Sequence, residues 1–123
     1  MSSRKSSSPT SRTLRPREAD LGFAHVDLDR QRRRGLAEVV YGPGKSPDQI
    51  AAILERLNAE GQNGWVTRVQ PGVAETLLAS LPGAVYHAAA RMLTRDVKPL
   101  PRRRGRVAVV CAGTTDIPVA EEA

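Results

Sequence analysis

The residues best placed to do chemistry stand late in the chain, at Gly113-Thr114-Thr115-Asp116. Two hydroxyls and a carboxylate after a glycine can hydrogen-bond phosphate or ribose oxygens, and they can equally cap a helix ahead of Pro118. A second group, Gly44-Lys45-Ser46, matches the end of the phosphate-loop pattern G-x-x-x-x-G-K-[ST]. The first glycine of that pattern falls on Val39 and Pro47 follows at once, so the wide backbone cradle is missing and Ser46 reads as an ordinary N-cap. Lys45 remains able to meet an anion as a point charge. Asp27, Arg30 and Arg33 follow at i, i+3 and i+6; on a helix Asp27 pairs with Arg30 while Arg33 lies on nearly the same side. Cys111 sits inside the apolar run Val107–Ala112, where burial would raise the thiol pKa and leave it inert, and no histidine is near it. His25 and His87 are isolated and have no ligand-like spacing, so no metal site is read from them. Glu121 and Glu122 suit the first turns of a helix more than catalysis.

The elements that must position these groups can be read from pattern. Residues 18 to 34 could form a helix of modest quality, ended by Gly35. Leu36 to Tyr41 has the β-branched and aromatic content of a strand, broken by Gly42-Pro43-Gly44. The next helix is the best signalled in the chain. Ser46 is its N-cap, Pro47 suits N1, Gln49 at N3 completes a capping box, and Gly61 stands just past the end. Ile50, Ile53, Leu54 and Leu57 form one apolar stripe, which must pack on a sheet. That sheet is supplied by Leu36–Tyr41 and by Trp65 to Val69, where Trp65, Thr67 and Val69 alternate with Val66 and Arg68. Pro71 opens a further helix with Val73, Leu77 and Leu78 inward. A strand is expected at Ala84–His87, and Ala88–Leu93 is ambiguous between strand and helix. Val107–Ala112, a continuous apolar run before a glycine, predicts a buried parallel strand leading into a loop and a helix start.

Composition narrows the classes. In 123 residues with 40% hydrophobic but 3% aromatic content, Ala, Val, Leu and Ile must fill the core. No apolar run approaches the ~20 residues of a membrane span. Residues 1–17 lack the apolar segment of a secretory signal, and one cysteine is compatible with a reducing cytoplasm, the expected compartment. The net charge of +6 is concentrated in three blocks. Arg4, Lys5, Arg12, Arg15 and Arg17 precede the first acid; Arg30, Arg32, Arg33 and Arg34 form the second; Lys98, Arg102, Arg103, Arg104 and Arg106 form the third. Basic clusters can bind nucleic acid, but none here carries interleaved aromatics for base stacking, so nucleic acid is not expected as the partner. The organisation read is a Ser-rich tail over 1–17, an α/β domain over 18–96, a Pro-rich basic linker over 97–106, and the beginning of a second, truncated unit over 107–123.

Four blocks carry a family resemblance. They are Asp27-x-x-Arg30-x-x-Arg33-x-Gly35-x-x-Glu38-Val39, then Gly44-Lys45-Ser46-Pro47-x-Gln49-Ile50, then Thr67-Arg68-Val69, and finally Ala112 to Ala123. Together they resemble the LarB family, which begins synthesis of the nickel-pincer nucleotide cofactor. The resemblance implies carboxylation of the pyridinium ring of nicotinic acid adenine dinucleotide and hydrolysis of its phosphoanhydride, giving pyridinium biscarboxylic acid mononucleotide and AMP. It implies a small N-terminal α/β domain followed by the first strand, loop and helix of a PurE-like, flavodoxin-like parallel sheet, whose G-S-x-S-D loop corresponds to Gly113–Asp116. Substrate contacts implied are Gly113, Thr114, Thr115 and Asp116 for phosphate or carboxylate, and Asp27, Arg30, Arg33, Lys45 and Arg68 for the anionic dinucleotide. Each of those charged residues can equally serve in an ion pair between domains or subunits. The family's cysteine nucleophile lies well downstream of the loop, and Cys111 does not replace it. No tightly bound cofactor is implied; carbon dioxide or bicarbonate is co-substrate, Mg2+ is admissible, and the full-length family is expected to form homo-oligomers away from membranes.

Two other classes use the same features differently. A PurE-type aminoimidazole ribonucleotide carboxylase or mutase would use the Gly113–Asp116 loop without needing residues 18–96. A basic nucleic-acid-binding module would use the three charge blocks, with an affinity that falls steeply with salt.

Overall fold

The computed structural model describes residues 18–30, 34–36 and 38–123. It is an α/β structure, with a four-stranded mixed sheet, a separate two-stranded hairpin, and three α-helices among the described residues. Strands β1 (Glu18–Asp20) and β2 (His25–Asp27) pair antiparallel. The expected helix over 18–34 is therefore corrected. Gly22 turns the chain with φ of 81°, the Asp20 carboxylate accepts from the Gly22 N–H, and Leu21 N–H donates to the Ala24 carbonyl. A helix has no place for that left-handed turn in its second residue row. Among the described residues of this stretch, helical geometry occurs at Arg30 and Arg34.

Strand β3 (Val39–Tyr41) leads through a tight turn into α1 (Pro47–Ala59), which returns the chain to β4 (Gly64–Thr67), parallel to β3. Leu36 stays outside β3 and is exposed, so the strand is shorter than its β-branched composition suggested. The capping box predicted for α1 is present in full. Ser46 Oγ accepts from Gln49 N–H at 3.2 Å, and Gln49 Oε1 accepts from Ser46 N–H at 3.0 Å. Glu60 is the C-cap and Gly61 follows with φ of 73°. The four stripe residues Ile50, Ile53, Leu54 and Leu57 are all buried against the sheet, each contributing roughly 1.5–3 kcal/mol by leaving water.

Helix α2 (Pro71–Ser80) carries the chain from β4 to β5 (Val85–His87) at the far edge, and β6 (Met92–Arg95) then runs back between β4 and β5. Because β6 is antiparallel to both neighbours, β3, β4 and β5 all point the same way. The ambiguous stretch 88–93 thus resolves into a turn at 88–91 and the start of β6, with Ala84 left just ahead of β5. In α2 the inward residues are Ala74 and Leu77, with Val73 half-buried; Leu78, expected inward, is exposed.

One face of the sheet, presenting Val40, Val66 and Leu93, packs on the helices and forms the core with Leu81 and Val69. The other face presents Val39, Tyr41, Trp65, Thr67, Thr94 and Val85, paired in register, and is half open. Beyond β6 the chain is clamped by Asn63, which is 0% exposed. Its Oδ1 accepts from Val97 and Lys98 N–H at 2.8 and 3.0 Å, and its Nδ2 donates to the Lys98 carbonyl at 3.0 Å.

The strand expected at Val107–Ala112 does not form. No strand of the sheet lies beside it, and Val107 and Val110 are 93% and 89% exposed. An apolar run without ladder partners has neither hydrogen bonds nor burial to hold it extended. Cys111 is consequently exposed, which overturns the buried, inert thiol read from its neighbours. The helix start does follow, as a 3-10 turn at Thr114–Asp116 and α3 (Ile117–Glu122). No helix among the described residues is long and apolar enough to cross a membrane.

Candidate functional site

Three parallel strands end at one edge of the sheet, and in open α/β sheets that edge is where loops and helix starts converge on ligands. After Tyr41, residues 42–45 make a turn closed by Lys45 N–H donating to the Gly42 carbonyl at 3.1 Å. Pro43 and Gly44 occupy its centre, Gly44 with φ of 81°, the pattern of a type II turn. Gly42 itself is pressed onto the neighbouring strand: its N–H donates to the Thr67 carbonyl, and a Cβ there would stand 2.7 Å from that oxygen. This close approach locks the β3–α1 turn to the end of β4. Lys45 is half-buried, with Nζ donating to the Tyr41 carbonyl at 2.8 Å. The P-loop comparison ends here, since Ser46 is fully engaged in capping α1.

At the end of β4 the strand alternation breaks. Arg68 takes φ of 55°, and opposite it Arg91, just before β6, takes φ of 52°. Left-handed backbone at Arg68 rotates the following residue by one strand face. Val69, expected on the same side as Trp65 and Thr67, is instead buried to 1% with Val66, while Arg68 is exposed. Val69 N–H donates to the Arg91 carbonyl at 2.8 Å, and Tyr86 Oη donates to the Val69 carbonyl at 2.8 Å, fixing the switch. Arg68 Nε meets Glu122 Oε2 of α3 at 3.1 Å, across 54 residues of sequence.

Lys45 and Arg68 line one cavity of 210 Å³, together with Gly42–Gly44, Ile50, Val69, Gln70 and Val73. The N-termini of α1 and α2 belong to the same edge. Gln70 caps α2 without a side-chain bond and Pro71 occupies its first turn. Helix starts carry partial positive charge, which adds to that of the two cations. The arrangement suits holding an anion; it contains no nucleophile or general base.

The other expected contacts fall elsewhere. Asp27 and Arg30 line a separate cavity of 440 Å³ with Arg34 and Leu36. Asp27 ends β2 and accepts from Asp29 N–H at 3.0 Å, while Arg30 turns to Glu38 at 4.0 Å, so these two do not make the i, i+3 helical pair. Arg33 lies outside the described residues. Arg103 of the basic linker donates to the Gly35 carbonyl at 2.9 Å, bringing the third charge block to the second. Gly113, with φ of 85°, Thr114, Thr115 and Asp116 are all exposed. Asp116 occupies the N-cap position of α3 without making a side-chain cap bond, and it lines a 380 Å³ cavity with Val109–Ala112, Val119 and Ala120. The loop is thus joined to the end of β4 through α3 and the Glu122–Arg68 pair.

A 470 Å³ cavity on the open sheet face, lined by Trp65, His87, Ala88–Ala90, Met92, Thr94 and Glu121, was not foreseen. His87 there is exposed and lies 3.1 Å from Thr94 Oγ1. Among the described residues no group of three His, Cys, Asp or Glu could hold a metal ion. The polar network of Asn58, Arg95 and the Pro82 carbonyl, and the Trp65–Asp96 bond, also went unread. Each joins residues far apart in sequence, so no spacing rule announces them.

Against known proteins, the LarB/PurE-like N-terminal domain family matches residues 18–98. A relative from Methanocaldococcus jannaschii, described as an uncharacterized protein, is 30% identical over 104 residues, covering 80% of this chain and 41% of the relative. The chain therefore spans about two fifths of the length of that relative. With two thirds of its residues inside the match, from the β1–β2 hairpin to the Asn63 clamp, the chain belongs to the LarB/PurE-like N-terminal domain family.

Proposed function

We propose that the protein acts in LarB-type chemistry, carboxylating the pyridinium ring of nicotinic acid adenine dinucleotide and hydrolysing its phosphoanhydride to release AMP. In this reading residues 18–98 supply cations for the anionic dinucleotide, and the Gly113–Asp116 loop contacts substrate phosphate or carboxylate. The observation that carries it is the shared cavity of Lys45 and Arg68, with Arg68 in turn tied to the helix that follows that loop. Two side chains singled out on separate sequence blocks meet at the strand edge where α/β folds hold anions. The family membership supports the substrate class.

The mechanism in the whole protein is attack of a thiolate on the pyridinium ring, capture of carbon dioxide by the electron-rich ring so formed, loss of the proton from the carboxylated carbon with expulsion of the thiolate to restore the pyridinium, and hydrolysis of the phosphoanhydride by water. Cys111 is not assigned the attack. It is exposed among Val109, Val110 and Ala112, no histidine lines its cavity to activate the thiol, and Asp116, which does line it, is read as a substrate contact. Residues 1–123 alone are expected to bind the dinucleotide without carboxylating it. Mass spectrometry after incubation with dinucleotide and bicarbonate reads the product; turnover by this chain alone would refute the division of labour. Binding unaffected by Lys45→Ala and Arg68→Ala would refute the cation assignment.

A further inference from the structure

We propose that the Lys45–Arg68 cavity is a phosphate site and that Glu122 competes with the phosphate for Arg68, so that phosphate binding weakens the seating of α3. This deepens the proposed function and rests on it for the physiological ligand, which would be a phosphate of the dinucleotide.

The structure already holds an anion on one of the two cations, although Glu122 itself is not among the residues that line the cavity. Of the cations at the strand edge, Arg68 is met by the Glu122 carboxylate, delivered by a helix outside the sheet domain. The contact uses Nε alone, leaving the two terminal nitrogens of the guanidinium for other acceptors. It is also half open to water, with Arg68 and Glu122 side chains 44% and 20% exposed, so it is a weak and replaceable pair. Lys45 faces the same cavity, and among the described residues no carboxylate stands within ion-pair distance of it. One of its three donors is used, on the Tyr41 carbonyl. A single carboxylate therefore leaves the site with surplus positive charge. A phosphate, with more charge and more acceptor oxygens, can engage both cations where Glu122 engages one. Gly42 lets the turn that carries Lys45 close onto the end of β4, since any side chain would collide with the Thr67 carbonyl.

The competition is for Arg68 Nε: a phosphate held only by the terminal nitrogens would leave Glu122 in place, whereas one that takes Nε displaces it. A phosphate oxygen accepting from Arg68 Nε stands where Glu122 Oε2 now stands, so its arrival releases α3 and, with it, the Gly113–Asp116 loop that α3 carries. The loop would then be free to close on the remainder of a bound dinucleotide.

The test is calorimetric titration of the 123-residue chain with inorganic pyrophosphate, AMP and nicotinic acid mononucleotide at low salt, with Glu122 followed by NMR. Wild type is expected to bind pyrophosphate weakly and to shift the Glu122 resonance on binding. Glu122→Gln should tighten binding about threefold to fivefold, the worth of one exposed ion pair. Lys45→Ala and Arg68→Gly should each weaken it; glycine suits the left-handed backbone at position 68, so that variant keeps the fold. Equal affinity in wild type and Glu122→Gln, or saturation without movement of Glu122, would overturn the competition for Arg68. Binding of pyrophosphate but of neither nucleotide would mark a free-phosphate site and separate it from the substrate. The two claims fail separately: carboxylation by a longer family member with no pyrophosphate effect sinks this inference alone. Pyrophosphate binding without any carboxylation sinks the proposed activity alone.

Discussion

Asn63 gives the sharpest quantitative test of how the sheet domain is closed. Its side chain is wholly buried and makes three hydrogen bonds to the backbone of Val97 and Lys98. Replacing it by alanine removes all three and leaves a small void under the chain. Val97 and Lys98 are exposed, so their freed backbone groups regain water, and each bond is worth only about 0.5–1 kcal/mol. With the void added, Asn63→Ala should cost about 2–3 kcal/mol. At a urea slope of about 1–1.5 kcal/mol per M, the unfolding midpoint falls by roughly 2 M. Lys98→Ala is the control: only its backbone is held, so the stability should stay within about 0.5 kcal/mol of wild type. Hydrogen exchange localises the effect, because the amides of Val97 and Lys98 should lose protection before the rest of the domain unfolds. An unchanged midpoint in Asn63→Ala, or a lowered midpoint with those two amides still protected, would refute the clamp.

Ser46→Ala, which breaks the capping box of α1, should cost about 1 kcal/mol, read from thermal melts by circular dichroism. Leu57→Ala, at a side chain that is 0% exposed, should cost about 2–5 kcal/mol by urea titration, whereas the exposed Leu78→Ala should cost under about 1 kcal/mol. Gly42→Ala forces a Cβ against the Thr67 carbonyl and should cost about 1–3 kcal/mol, with the loss of phosphate affinity following from a displaced Lys45. Cys111 should react with a thiol-specific chromogenic reagent stoichiometrically in the native chain, at the rate seen in denaturant; protection would restore the buried strand.

What could be read in advance divides by range of interaction. The α1 helix was legible to the residue because a cap, a proline, a stripe and a terminal glycine agree within sixteen positions of sequence. From that stripe the parallel pairing of β3 and β4 also followed, since an amphipathic helix between two β-rich stretches needs a sheet. The hairpin at 18–27 was not legible. Its decisive device is Gly22 with the Asp20 carboxylate behind it, while the surrounding charges mimic a helix face. Arg68 hid its conformation because arginine carries no turn signal, so the alternation of 65–69 was extended two residues past the end of the strand. The run Val107–Ala112 illustrates the opposite error. Composition promised a strand, but strand formation belongs to the partner as much as to the residues. Lys45 and Arg68 were each singled out locally; their common cavity is a product of the parallel crossover.

The opposed left-handed pair Arg68 and Arg91 has an evolutionary consequence. An ordinary side chain in that backbone region is strained by about 1 kcal/mol, and glycine relieves the strain at no steric cost. Drift under selection for stability alone would therefore carry both positions towards glycine or asparagine. Position 68 is a fork among possible substitutions: glycine keeps the face switch that buries Val69 but discards the cation, whereas valine or isoleucine endangers both. An arginine held there places the sequence off its thermodynamic optimum, and folding by itself gives no reason for the choice.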